Sequence, residues 1–142
     1  MPLGRGNLFW ARRGSLVLLV QSTVDPTVTE WDGFLTAASE TMAENGGRCR
    51  VLVFTAGGKP DAEQRARSLE SGWRDNKASP VVVVTSDTLA RGVITVFSWF
   101  GLNIRAFTEA QLQQAYDRLQ LTPLERRWLS VERRILEERL KL

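Results

Sequence analysis

An α/β fold built on a mixed, mostly parallel sheet of about five strands is what this 142-residue chain predicts. Three observations predict it. Apolar runs of strand length recur at residues 16–20, 50–55 and 81–84. Segments with apolar residues three and four apart fall between and after them. Glycine, proline or a helix-capping side chain separates one segment from the next. Strands that alternate with helices pair in parallel and are covered by those helices.

Residues 7–13 read as a strand, Gly14-Ser15 as a turn, and Leu16 to Val20 as a second strand, so the chain opens with a hairpin. The second strand is apolar on both faces and belongs in the middle of a covered sheet. After the loop Asp25-Pro26-Thr27, a helix carries Trp31, Phe34, Leu35, Ala38 and Met42 on one stripe, and Asn45-Gly46-Gly47 ends it. A third strand spans 50–55. Asp61 can cap the next helix, with Ala62, Ala66, Leu69 and Trp73 expected toward the core. Four valines at 81–84 form a buried fourth strand, and Thr85-Ser86-Asp87 caps a very apolar helix over 88–100, stopped by Gly101. A short strand at 103–107 precedes a helix capped by Thr108, with Leu112, Ala115, Tyr116 and Leu119 on one side. The last helix starts at Thr122-Pro123-Leu124-Glu125, which joins a capping threonine, proline at the first helical position and glutamate three residues after the cap.

Composition narrows the function. The chain is 43% apolar and 25% charged, an ordinary globular balance. Nineteen lysines and arginines against 16 acids give a net charge of +3, with the two signs interspersed. Arg12-Arg13 and Arg126-Arg127 are small basic clusters, too small a footprint for nucleic acid, so no nucleic-acid partner is expected. The sequence has no histidine, which excludes histidine general bases, serine–histidine pairs and histidine metal ligands. Cys49 is the single cysteine, so no internal disulfide forms, and it reads as a buried structural thiol. No metal site, cofactor or catalytic residue is expected. The apolar run at 16–20 is too short to span a membrane and no small-residue cleavage site follows it, so a cytoplasmic location and no membrane association are expected.

In an open α/β sheet, ligands bind beyond the C-terminal ends of the parallel strands. Three loops should meet there. The first offers Gln21, Ser22, Thr23 and Asp25. The second is Thr55-Ala56-Gly57-Gly58-Lys59, which reads either as a plain strand-to-helix turn or as an anion site in which glycine amides approach a phosphate and Lys59 neutralises it. Pro60 follows where a phosphate-binding loop carries serine or threonine. The third offers Thr85, Ser86 and Asp87, a helix cap or, alternatively, a phosphoacceptor hydroxyl or anion contact. Asp25, Asp61 and Asp87 could converge at this edge in an acid-dependent hydrolase or transferase, but no two acids are adjacent as in shared metal sites.

The element order resembles the STAS-like (SpoIIAA-like) family of sulfate-transporter and anti-sigma-factor-antagonist domains, over residues 7–121. The stretch that carries the resemblance most is Val-Val-Val-Val-Thr-Ser-Asp-Thr-Leu-Ala-Arg-Gly-Val-Ile-Thr-Val-Phe-Ser-Trp-Phe at 81–100, followed by Asn-Ile-Arg-Ala-Phe-Thr at 103–108. The resemblance implies a non-enzymatic switch in which a serine or threonine at the start of the second helix is phosphorylated and releases a partner kinase. Members carry an Asp-Ser-Ser-Gly-like pattern after the third strand. Here the matching segment runs from Phe54 to Lys59, only Thr55 supplies a hydroxyl, and the aspartate is missing.

Two helices carry more apolar surface than one packing stripe needs. In the segment 88–100, Leu89, Val93, Val96 and Phe100 form one stripe, while Ile94, Phe97 and Trp99 lie off it. In the last helix, Leu124, Trp128, Val131 and Ile135 form one stripe, and Leu129, Leu136 and Leu140 a second. Phe97, Trp99, Trp128, Val131 and Ile135 are therefore candidate interface residues. The sequence leads to one STAS-like α/β domain over 1–121, with 122–142 an added C-terminal helix that packs on it or mediates self-association. Its expected role is a protein-interaction, regulatory or scaffold domain that binds a protein partner or itself as a homodimer. The alternative is a domain that binds a small anionic or lipid-like ligand through the loops holding Thr55, Gly57, Gly58, Lys59, Ser86 and Asp87.

Overall fold

Leu8–Arg13 (β1) and Leu16–Gln21 (β2) form the expected antiparallel hairpin. Gly14 closes it at φ 57°, a left-handed conformation that glycine adopts without a side-chain clash. The structure is a computed structural model that describes residues 6–58, 60–68, 79–86 and 103–140. Arg50–Thr55 (β3), Val81–Val84 (β4) and Ile104–Phe107 (β5) complete a five-stranded sheet in the order β1-β2-β3-β4-β5. β2 to β5 pair in parallel and only β1 runs against its neighbour, so the fold is α/β with a mixed, mostly parallel sheet. Every residue of β2 is buried, as its uninterrupted apolar run requires of a central strand.

Alternation along the strands divides the core into two layers. Val17, Leu19, Val51, Val53 and Val83 point to one face. There they meet Val28–Glu44 (α1) through Trp31, Phe34, Leu35, Ala38 and Met42. Leu16, Leu18, Val20, Leu52, Phe54, Val82 and Val84 point to the other. They are covered by Leu112–Arg118 (α3), through Ala115 and Tyr116, and by Pro123–Arg139 (α4), through Leu129 and Leu136. α3 lies against β4 and β5, and α4 against β1 and β2.

Local signals set the helix ends. Thr27 caps α1 in a reciprocal box with Glu30, and the second carboxylate oxygen of Glu30 accepts from the amides of Asn7 and Leu8, which fastens the start of β1 to α1. Ala62–Ser68 (α2) starts at a similar box between Asp61 and Gln64. One expectation fails here. Ala62 and Ala66 are exposed, and the buried residue of α2 is Gln64. Its carboxamide donates to the carbonyls of Pro26 and Thr27, and its own carbonyl accepts from the Trp31 indole. These bonds replace the ones it would make to water, so a polar side chain takes the inward position. The helix expected at 88–100, and Leu69 and Trp73, lie outside the described residues.

The C-terminal helix is part of the core rather than an appendage to it. Leu129, Leu136 and Leu140 belong to the same buried cluster as the sheet. Thr122 and Glu125 form the expected capping box, with Pro123 in the first turn. Glu125 has a second partner. Arg50, at the start of β3 and almost fully buried, makes a two-pronged ion pair with its carboxylate. The same guanidinium donates to the Leu119 carbonyl at 3.2 Å and the Ser15 hydroxyl at 3.1 Å. Burial alone would raise the Glu125 pKa. The bonds from Arg50 and from the Thr122 amide and hydroxyl outweigh it and hold the carboxyl below its ordinary 4.5. No helix among the described residues is long and apolar enough to cross a membrane.

Two predictions follow from this ion pair. Glu125→Ala strands the Arg50 charge in the interior and should cost about 3–5 kcal/mol in denaturant unfolding, whereas Arg50→Met with Glu125→Leu should recover most of that loss. Because the folded-state pKa of Glu125 is depressed, its contribution is complete above pH 4.5 and is lost as pH falls through the lower folded-state value. Stability curves below pH 4.5 should therefore be flatter for the double variant than for the parent.

Candidate functional site

The C-terminal ends of β2, β3 and β4 open into a cleft of about 830 Å³. Gln21, Ser22 and Thr23 line it from the end of β2, Phe54, Thr55 and Ala56 from β3, and Val84, Thr85 and Ser86 from β4. Thr108, Glu109 and Ala110 close one side. The last turns of α4 close the other through Arg133, Glu137 and Leu140. The cleft lies where a parallel sheet is expected to bind its ligands. Its inner surface is apolar with polar groups around it, the usual make-up of a small-molecule site.

Arg133 is the central charge. Its guanidinium lies 3.7 Å from the centre of the Phe54 ring. It holds both carboxylate oxygens of Glu109, and its Nε donates to Glu137 at 2.9 Å. Burial works against the charge, but Glu109 and Glu137 more than restore it and raise the pKa above the ordinary arginine value. The arginine therefore stays charged, seated on an aromatic face and bracketed by two acids.

The loop after β3 uses its polar groups on itself. The Ala56 amide donates to the Gln21 carbonyl, and the Gly58 amide to that of Ser22. The Thr55 hydroxyl accepts from the Gly57 amide and donates to the Gly58 carbonyl. A phosphate cradle needs free amides, and those of residues 56–58 are all committed within the protein. The geometry is that of the strand-to-helix turn. Gly58 is buried, and a side chain there would place its Cβ 2.8 Å from the Ser22 carbonyl oxygen and nearer still to that of Val24. Gly57, at φ 145°, is half-buried beside it.

Of the residues singled out from sequence, Thr55 and Ser86 stand together on the cleft wall, and Gly57 and Gly58 form the adjoining turn. Lys59, Asp87, Phe97 and Trp99 lie outside the described residues. Asp61 serves as the cap of α2, and Asp25 is exposed. Among the described residues, no three of cysteine, aspartate and glutamate group closely enough to hold a metal ion. Cys49 is fully buried, and burial pushes its thiol up to about 12, so it is not a nucleophile at neutral pH.

The interface candidates on α4 separate. Val131 and Ile135 are exposed, together with Leu124. Trp128 is half-buried and packs against the core. At 100° per residue it lies between the outward stripe and the Leu129 stripe, so its indole reaches the core from the border. Arg133, Glu109 and Glu137 were not legible as site residues. In the sequence they are ordinary charges of solvated helices, and only the fold brings them to one cleft.

In comparison with known proteins, no family model, no curated protein and no solved structure matches the chain.

The turn supplies a direct test. Gly58→Ala forces a Cβ against two backbone carbonyls and should lower stability by roughly 1–3 kcal/mol, as overpacking does. Thermal unfolding would show it. A variant as stable as the parent would mean that the turn is less closely packed than described.

Proposed function

We propose that this chain is a non-enzymatic interaction domain, regulatory or scaffolding in role as its STAS-like resemblance implies, and that it self-associates in the cytoplasm through the outward face of α4. One observation carries the reading. Six large apolar residues are exposed among the described residues, and three of them, Leu124 at 60%, Val131 at 57% and Ile135 at 47%, share that face. Scattered apolar residues need no explanation, but a line of them on one helix marks a contact surface. The opposite stripe is already buried against the sheet, so packing within the domain does not account for the outer one.

Charge on the same face supports a second copy as the occupant. Arg127 and Arg134 flank the line, and Glu138 continues it seven residues beyond Val131. Two such helices crossing in opposite directions about Val131 would bring Arg127 near Glu138 of the partner subunit. Apolar centres with mixed-charge rims are the usual anatomy of protein interfaces. A binding role also fits the chemistry of the chain, which has no histidine and one buried thiol.

Sedimentation equilibrium of the full chain tests the reading. The parent should show a mass above 16.0 kDa. Val131→Glu with Ile135→Glu should return it to the monomer mass with the fold intact by circular dichroism, because within one chain both side chains face solvent. A parent that stays monomeric would refute self-association.

A further inference from the structure

The cleft at the strand ends has a chemical bias that follows from its charges and its backbone hydrogen bonds. Several of its backbone donors are spent. The amides of Ser22, Ala56, Gly58 and Thr85 all donate to backbone carbonyls, and that of Gly57 to Thr55. Arg133 directs its Nε and both terminal nitrogens at Glu137 and Glu109. Its acceptors are not spent. The side chains of Glu109 and Glu137 are 57% and 45% exposed, and each carboxylate has lone pairs beyond those that Arg133 occupies. Gln21 lines the same cleft at 4% exposure, and its carboxamide, which can accept as well as donate, has no hydrogen-bond partner among the described residues.

Charge points the same way. Two carboxylates face one guanidinium, so the described residues leave the cleft with an excess negative charge. An anion entering it would meet repulsion and would have to displace a carboxylate to reach Arg133. A cation meets attraction and open lone pairs. Phe54, Val84 and Leu140 provide apolar surface beside these charges. We propose that the cleft binds a small organic cation, its apolar body against Phe54, Val84 and Leu140 and its protonated amine at Glu109 and Glu137. This is opposite in charge to the anionic ligand that the glycine loop suggests from sequence. It is also independent of self-association, since the outward face of α4 takes no part in it.

The test is a titration of the ¹⁵N-labelled full chain at pH 7 with 2-phenylethylamine and with phenylacetate, which share a ring and differ in the sign of the charge. Probes this small bind with about millimolar affinity when they fit. The amine should shift the amides of Thr55, Thr85 and Thr108 saturably, and phenylacetate should not. Glu137→Gln should weaken the amine about tenfold, the scale of one charge-assisted hydrogen bond. Glu109→Gln with Glu137→Gln releases Arg133 and should reverse the preference toward phenylacetate. Val131→Glu with Ile135→Glu should bind the amine as the parent does, which separates failure here from failure of the dimer. Both glutamates are exposed at the mouth, so their amide variants should fold. The proposal is overturned if phenylacetate binds the parent as tightly as the amine, if Glu137→Gln leaves amine binding unchanged, or if neither probe saturates.

Discussion

Arg50 and Glu125 come from opposite ends of the folding problem. One begins a central strand, and the other completes the capping box of a helix 75 residues further on. Their ion pair fixes the N-terminus of α4 at the end of the sheet where the parallel strands begin. From that anchor the helix runs along β1 and β2 toward the end where they finish. Its length carries Leu129 and Leu136 into the core, Arg133 over Phe54, and Leu140 into a short parallel bridge with Gly6. An ion pair this buried adds little net stability compared with apolar residues of the same shape. What it contributes is position, because the same guanidinium ties Glu125 to the Leu119 carbonyl and the Ser15 hydroxyl.

Arg133, in the helix itself, depends on that placement. α4 covers β1 and β2 while α3 covers β4 and β5, so the end of β3 lies between two helices. Phe54 occupies that place, and Arg133 closes over it. The guanidinium spreads its charge over the ring while Glu109, just before α3, and Glu137, on α4, hold its edges. The group thus links the two covering helices across the sheet and forms one wall of the cleft. α4 therefore has three uses at once: its inner stripe closes the core, its later turns shape the cleft, and its outer stripe meets solvent.

Much of the fold was legible because its signals are local. Gly14 and the apolar run after it specify the hairpin. Thr122, with proline next and glutamate three residues later, specifies a helix start. The four valines specify a covered strand. Gln64 was missed because propensity and periodicity favour its alanine neighbours for the core, and the partners that make its burial tolerable, Pro26, Thr27 and Trp31, come from a different segment. The loop at Thr55 was legible as a turn with glycines. Whether its amides were free for an anion depended on the carbonyls of Gln21 and Ser22 in the neighbouring strand end.

The sequence by itself determined the α/β class, the order of the described elements, the cap of the last helix and the existence of two apolar stripes on it. Those properties depend on residues within a turn or two of each other, where periodicity and capping chemistry act. Only the tertiary structure decided which stripe is buried, that Trp128 sits on the border between them, and that Glu109, Arg133 and Glu137 meet over Phe54. These are contacts between residues far apart in the chain. They arise when packing brings separate elements together, and no local pattern of charge or hydrophobicity encodes which elements those will be.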